Sequence, residues 1–160
     1  MTINVNKPFF SFRLKYDILV DGVQEFIAKA DILHLPYKPQ LSLYDLSKNK
    51  ILYIKLASPF YMEYDLIFTN DERIQLRLEE NTREIYSFHH QGYKYIVHFN
   101  NDGSASIFKG NEKVADFIKE QKFEDFIIRC YNDNYKIIVI AITLSYCFTL
   151  NKATGHRLRS

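Results

Sequence analysis

The chain contains no tryptophan, and glycine, proline, cysteine and methionine are scarce, with 5, 4, 2 and 2 copies among 160 residues. So few glycines and prolines exclude a long flexible linker or a low-complexity region. The two cysteines, Cys130 and Cys147, both lie in apolar surroundings, where a free cysteine behaves as a small hydrophobic residue. We therefore predict no disulfide, no metal site and no cofactor.

An excess of charge of either sign is also missing. The chain has 21 basic and 19 acidic residues, intermixed along its length, for a net charge of +2. That balance gives no electrostatic basis for binding nucleic acid. The first twelve residues lack a basic segment followed by an apolar run and a cleavage site, so we predict no signal peptide and a cytoplasmic location.

Aromatic residues are abundant, with 13 phenylalanines and 12 tyrosines. Together with many isoleucines and valines they favour strands, because flat and β-branched side chains pack well on a pleated surface. A chain of 160 residues suits one domain, which we assign to residues 1–160. A domain of this size buries enough surface to fold without a disulfide or a metal.

Apolar and polar residues alternate through most of the chain. One face of an early segment carries apolar residues and the other carries polar ones, and Asp21-Gly22 then supplies a hairpin turn. Asn101-Asp102-Gly103 is a second turn signal. The alternation predicts that these apolar residues share buried faces: Phe10, Phe12, Leu14, Tyr16, Ile18, Val20, Phe26, Ala28, Ala30, Ile32, Met62, Tyr64, Leu66, Phe68. We count about ten to twelve short strands, as in an antiparallel barrel or sandwich.

A faint internal repeat appears when the chain is shifted by 64 residues. Ser42-Leu43-Tyr44 then aligns with Ser106-Ile107-Phe108, and Tyr53-Ile54-Lys55 aligns with Phe117-Ile118-Lys119. In both copies a polar turn separates the two triplets. Duplication of a strand-turn-strand unit and chance similarity both remain open.

The segment from Tyr135 to Leu150 breaks the alternation, since apolar residues fall on every side of it. We predict a buried helix over 135–150, capped by Asp133 or Asn134. Two strands and a membrane span are the alternatives, although the segment is short for a span and carries hydroxyl side chains. Residues 152–160 are predicted to form a disordered tail.

The stretch from Tyr95 to Phe148 resembles the LURP-one-related and tubby C-terminal domain-like superfamily. YIVHFNNDGSASIFKGNEKVADFIKE is similar to the family's pattern of strands and turns, and FEDFIIRCYNDNYKIIVIAITLSYCF to its final strand and core helix. The resemblance implies a closed antiparallel barrel of about 10–12 strands around a C-terminal buried hydrophobic helix. It also implies a role at membranes, because tubby domains bind phosphoinositide head groups and the related scramblases act there, while many bacterial and plant members have no assigned activity. No lipid-binding motif of the family carries over residue by residue.

The best basic group consists of Arg73, Arg77, Arg83 and Lys94. Arg73 and Arg77 share a strand face, and with Arg83 and Lys94 they are candidates for contacting a lipid phosphate. The alternative is a solvated face, because four acidic residues lie close by in sequence: Glu72, Glu79, Glu80, Glu84.

Motifs for catalysis are missing. His89 and His90 are adjacent, so on a strand they point to opposite faces and cannot chelate one metal. The sequence has no nucleophile elbow and no glycine-rich phosphate loop. We therefore predict a non-enzymatic binding or scaffold protein that contacts anionic phospholipid head groups as a peripheral protein. A protein-interaction module is the alternative, and a small ligand-binding barrel or enzyme ranks below it.

Overall fold

The computed structural model describes residues 1–8, 15–30, 40–58, 63–82, 84–120 and 125–157, with side chains in the last range described as far as Cys147. In these ranges the chain forms twelve strands, one short 3₁₀ turn and one α-helix. The strands are β1 (Thr2–Asn6), β2 (Lys15–Val20), β3 (Val23–Ala30), β4 (Gln40–Asp45), β5 (Lys50–Ser58), β6 (Glu63–Phe68), β7 (Arg73–Leu78), β8 (Ile85–His90), β9 (Tyr93–Phe99), β10 (Ala105–Lys109), β11 (Glu112–Lys119) and β12 (Phe126–Cys130).

Each strand pairs antiparallel with its neighbours in sequence, and β1 pairs with β12 to close the barrel. The alternation predicted from sequence decides which face lies inward, because a strand presents successive side chains to opposite faces. Tyr16, Ile18 and Val20 are buried as expected. The predicted barrel of ten to twelve strands is confirmed, whereas Phe10, Phe12, Leu14, Ile32 and Met62 lie outside the described residues.

The apolar segment near the C-terminus forms a helix, α1 (Lys136–Arg157), which follows a 3₁₀ turn at Asp133–Tyr135. Residues 138–145 are all buried, and eight residues make more than two turns, so every side of the helix is covered at this level. The interpretation as two strands is therefore wrong. Among the described residues, no helix is long and apolar enough to cross a membrane.

The helix differs from its predicted bounds at both ends. Asn132, one residue before the predicted caps, accepts a hydrogen bond from the backbone N–H of Asn134 at 3.0 Å. The helical backbone continues to Arg157, through most of the segment predicted as a tail. Residues 158–160 lie outside the described part of the chain.

Surrounding contacts explain why a segment rich in β-branched residues is helical. The side chains of Thr143 and Ser145 donate hydrogen bonds to the carbonyl oxygens of Val139 and Ala141, at 3.0 and 2.8 Å. Their hydroxyl groups are thus satisfied inside the helix. The buried apolar side chains of the helix pack in one cluster with the inward-facing side chains of the strands. Tertiary burial outweighs the modest propensity cost of a few tenths of a kcal/mol per residue.

The two halves of the barrel, β1–β6 and β7–β12, have corresponding features. The β2–β3 turn at Asp21-Gly22 has φ angles of 47° and 85°, and the β8–β9 turn at Gln91-Gly92 has 50° and 78°. An irregularity in register falls at Leu43/Tyr44 in the first half and at Ile107/Phe108 in the second. The internal repeat therefore has a structural counterpart that extends beyond the unit seen in sequence.

One part of the repeat alignment is wrong by one residue. Leu41 pairs with Ile54 in the first half, and Ala105 pairs with Phe117 in the second. Ile54 therefore corresponds to Phe117, whereas the ungapped alignment matched Tyr53 with Phe117. The turn between the strands is one residue shorter in the second half, which the ungapped comparison of sequences did not allow for.

Candidate functional site

The ladder between β7 and β8 is unusually short. Only Arg77–Ser87 and Leu78–Tyr86 are paired, whereas the corresponding β1 and β2 form four consecutive pairs. Further pairs toward the start of β7 and the end of β8 are missing between these described strands. The ladder of the barrel wall therefore has a gap, here called the opening, where the corresponding strands of the first half are paired, although β7 and β8 still lie side by side.

A cavity of about 320 Å³ lies at this opening. It is lined by Arg73, Gln75, Arg77, Ser87, Phe88 and His89. All of these except Phe88 come from the outward-facing positions of the two strands. Guanidinium, amide, hydroxyl and imidazole groups are hydrogen-bonding groups suited to a polar ligand.

Asp65 on β6 organises the two arginines of this cavity. Its side chain is only 3% exposed, although it points to the outer face of the barrel. Arg77 Nη2 donates a hydrogen bond to Asp65 Oδ1 at 2.6 Å, and Arg73 Nη2 donates to Asp65 Oδ2. Burial raises the pKa of the Asp65 carboxyl, but the hydrogen bonds from Arg77 and Arg73 outweigh it and the pKa lies below its ordinary value.

Positive charge exceeds negative charge around Asp65. Lys55 on β5 and Gln75 on β7 are its direct cross-strand neighbours, so three cations and one buried carboxylate share this area. Glu63 Oε2 lies 3.8 Å from Arg77 Nε and offsets part of the excess. The geometry therefore leaves a modest net positive charge on the outer face of β5–β7.

The predicted basic group is brought together only in part. Arg73 and Arg77 meet at Asp65, as just described. Lys94 instead forms an ion pair with Glu79 at 2.6 Å, and this hydrogen bond is the main reason that the pKa of Glu79 is lowered. Arg83 lies outside the described residues. The lipid-phosphate role of these residues stays a prediction.

The two adjacent histidines have different surroundings. His89 lines the cavity, whereas His90 Nδ1 lies 2.7 Å from Glu72 Oε1 without the alignment of a hydrogen bond. In the described part of the chain, no group of three or more His, Cys, Asp or Glu side chains is placed to hold a metal. Both cysteines, Cys130 and Cys147, are buried thiols.

The sequence pattern missed the role of Asp65, which alternation assigned to a solvated face. The signal that was present is an acid followed by arginines eight and twelve residues later. It becomes meaningful only when the β6–β7 register is known, because that register places Asp65 opposite Gln75, between Arg73 and Arg77.

Comparison with protein-family models, with curated proteins and with solved structures finds no match for this chain. Membership of the tubby-like superfamily therefore stays a prediction.

Proposed function

We propose that this protein is a non-enzymatic binding module that contacts anionic phospholipid head groups through the outer face of β5–β7. One observation carries the proposal. Lys55, Arg73 and Arg77 surround a single buried carboxylate, Asp65, beside an opening in the barrel wall. The predicted tubby-like membership points to the same class of ligand, with the protein in the cytoplasm and peripheral at the membrane.

Asp65 holds the two guanidinium groups in place before any ligand arrives. Each guanidinium has five N–H donors, and the bond from Arg73 to Asp65 uses one terminal nitrogen. The Arg73 side chain remains 51% exposed and lines the cavity. The N–H groups that do not contact Asp65 are therefore accessible to a ligand there. Because folding already sets the orientation of these donors, the arginine side chains lose less conformational entropy when a ligand binds.

The ligand that fits these donors carries a phosphate, because planar guanidinium groups recognise phosphate oxygens through paired hydrogen bonds. Gln75 and Ser87 add neutral hydrogen-bonding groups at the same opening. The modest charge excess favours binding to an anionic membrane by about 1 kcal/mol for each basic residue near the surface. Binding should therefore be weak, and salt should reduce it.

Vesicle co-sedimentation tests the proposal. We expect binding to vesicles of phosphatidylcholine with phosphatidylserine, little binding to phosphatidylcholine alone, and loss of binding as salt rises. Arg73→Gln should reduce binding about fivefold, the effect of losing roughly 1 kcal/mol. Lys113→Gln, on the outer face of the other half, is the matched control and should leave binding unchanged.

Equal binding to neutral and anionic vesicles would contradict the proposal, as would equal losses from Arg73→Gln and Lys113→Gln. Circular dichroism of each variant separates loss of the site from loss of the fold.

A further inference from the structure

The second half of the barrel contains a carboxylate with three partners on its outer face. Asp116 on β11 accepts hydrogen bonds from the Ser106 hydroxyl at 2.6 Å and from the Tyr131 hydroxyl at 2.7 Å. Lys113 Nζ lies 3.1 Å from Asp116 Oδ1. The carboxylate thus satisfies a serine donor and neutralises a lysine.

The first half repeats the serine of this cluster. Ser106 pairs with Asp116 across the β10–β11 ladder, and in the first half Ser42 pairs with Tyr53 across the β4–β5 ladder. Tyr53 therefore stands where the second half has its carboxylate. Ser42 corresponds to Ser106, so the serine is kept while its acceptor is replaced.

The lysine of the cluster is repeated with the same geometry. Lys113 is paired with Phe108, and its Nζ lies 5.7 Å from the centre of that ring. Lys50 is paired with Tyr44, and its Nζ lies 5.8 Å from the centre of that ring. The two halves thus place a lysine over an aromatic ring beside the serine.

The first half also has an additional cation. Lys29 is the cross-strand neighbour of Ser42 on β3 and lies 5.9 Å from the Tyr44 ring, on which Lys50 also packs. The second half has His98 at the place of Lys29. Two lysines therefore gather in the first half around a position that lacks the carboxylate.

The Ser42 hydroxyl shows the consequence of the replacement. Ser42 is 1% exposed, and its Oγ is buried without a hydrogen-bond partner among the described residues. An unsatisfied buried hydroxyl is costly, and in the second half the equivalent hydroxyl donates to a carboxylate.

We propose that the first half binds one external oxyanion, a phosphate or a carboxylate group, at the place that Asp116 occupies in the second half. The anion accepts a hydrogen bond from the Ser42 hydroxyl and pairs with the ammonium groups of Lys29 and Lys50. Because Ser42 is covered, the side chains that flank it move aside as the anion binds. The flexible four-carbon stems of the lysines allow this movement.

This oxyanion site is separate from the arginines beside Asp65, so either can fail without the other. The two nevertheless lie on one face. Consecutive cross-strand pairs connect Ser42 to Tyr53, Tyr53 to Ile67, and Ile67 to Arg73. Three strand spacings amount to about 14 Å, so a single anionic surface can reach both.

Titration with inorganic phosphate, followed by the backbone amide signals in ¹⁵N NMR at constant ionic strength, tests the site. We expect saturable shifts at Lys29, Ser42, Lys50 and Tyr53, and none at the matching positions of the second half. Those positions are His98, Ser106, Lys113 and Asp116. No saturable shift, or equal shifts in both halves, would overturn the proposal.

A substitution that copies the second half provides the sharpest variant. Tyr53→Asp supplies a carboxylate from within the chain, so the phosphate affinity should fall at least about tenfold. Tyr53→Asn introduces a side chain with the shape of aspartate but no charge, so this variant should still bind phosphate. Equal affinities of the two variants would show that no anion occupies this place. Thermal unfolding of both confirms that each is folded.

Two further ligands distinguish the source of the anion. Acetate tests a free carboxylate, and vesicles of phosphatidylcholine with phosphatidic acid test a lipid head group. If phosphate binds and Ser42→Ala leaves vesicle binding unchanged, the ligand is a free anion. If Ser42→Ala weakens both, it is a head group. An acidic peptide that binds here while phosphate, acetate and phosphatidic acid do not would overturn the assignment to a compact oxyanion.

Discussion

At the scale of single residues, a buried acid gathers the basic side chains of the candidate site. Asp65 is nearly inaccessible on an outward-facing position, and it is bonded to both Arg73 and Arg77. Without it, two guanidinium groups on one strand would repel each other. The carboxylate therefore contributes to stability and to the arrangement of donors at the opening.

The lowered pKa of Asp65 makes part of the stability depend on pH. An unfolded Asp has a pKa of about 3.9. Because the folded pKa is lower, the contribution is fully present above that value and is lost as pH falls through the folded pKa. We expect Asp65→Asn to reduce the free energy of unfolding by about 1–3 kcal/mol at pH 7, as measured by urea denaturation.

The difference between wild type and Asp65→Asn should shrink as pH falls below about 4. A difference that is the same at pH 7 and pH 2.5 would contradict the assigned role of the charge. Asp17→Asn, at a more exposed ion pair with Lys15, is the control and should change stability by under about 1 kcal/mol.

The two equivalent serines make a matched pair for a second prediction. Ser106→Ala removes a donor to Asp116 and should cost about 1–2 kcal/mol. Ser42→Ala removes a hydroxyl that has no partner in the described part of the chain, so in the absence of added anions it should be neutral or stabilising by up to about 1 kcal/mol. Chemical denaturation measures both. Equal costs would contradict the difference between the two halves.

At the scale of elements, the turns and the helix depend on different forces. The β2–β3 and β8–β9 turns need positive φ angles at Gly22 and Gly92, 85° and 78°. An added Cβ would meet no atom within 4 Å at either position. The cost of a side chain there comes from backbone strain alone.

We expect Gly22→Ala and Gly92→Ala to lower the free energy of unfolding by similar amounts, about 1 kcal/mol each. Thermal or urea unfolding provides the measurement. Costs that differ by more than about 1 kcal/mol would show that one turn depends on contacts absent from the other.

The helix depends on packing inside the barrel. Ile140 is fully buried, and Ile140→Ala should cost about 2–5 kcal/mol, because the surrounding wall cannot collapse into the space left by the removed carbons. Ile137 is only partly buried, so Ile137→Ala should cost clearly less. Similar costs in urea denaturation would contradict a helix enclosed by the barrel.

At the scale of the whole molecule, barrel and helix form one core. The inward faces of the strands and the buried residues of α1 belong to a single hydrophobic cluster. We expect a chain that ends after Asn134 to lose cooperative unfolding, because the apolar inner faces of the strands would no longer have a helix packed against them. A sharp thermal transition for this shortened chain, followed by circular dichroism, would contradict the prediction.

The candidate site was predictable only in part. Arg73 and Arg77 could be placed on one face from their even spacing. Strand register decides the rest: both arginines contact Asp65, Lys94 forms an ion pair with Glu79, and the β7–β8 ladder is short. Register is a relation between segments, and a local pattern within each segment does not specify it.

The sequence by itself determined the strands, the hairpin turns and the buried character of the C-terminal segment, because periodicity and turn chemistry act over a few residues. The sequence also predicted a helix there, and tertiary structure decided against the two-strand alternative and extended the helix to Arg157, since burial on every side outweighs local propensity. It also decided that Ser42, among the residues the structure describes, lacks the acceptor that Ser106 has. That difference appears only when two strands lie side by side, because the partner of each serine comes from another segment of the chain.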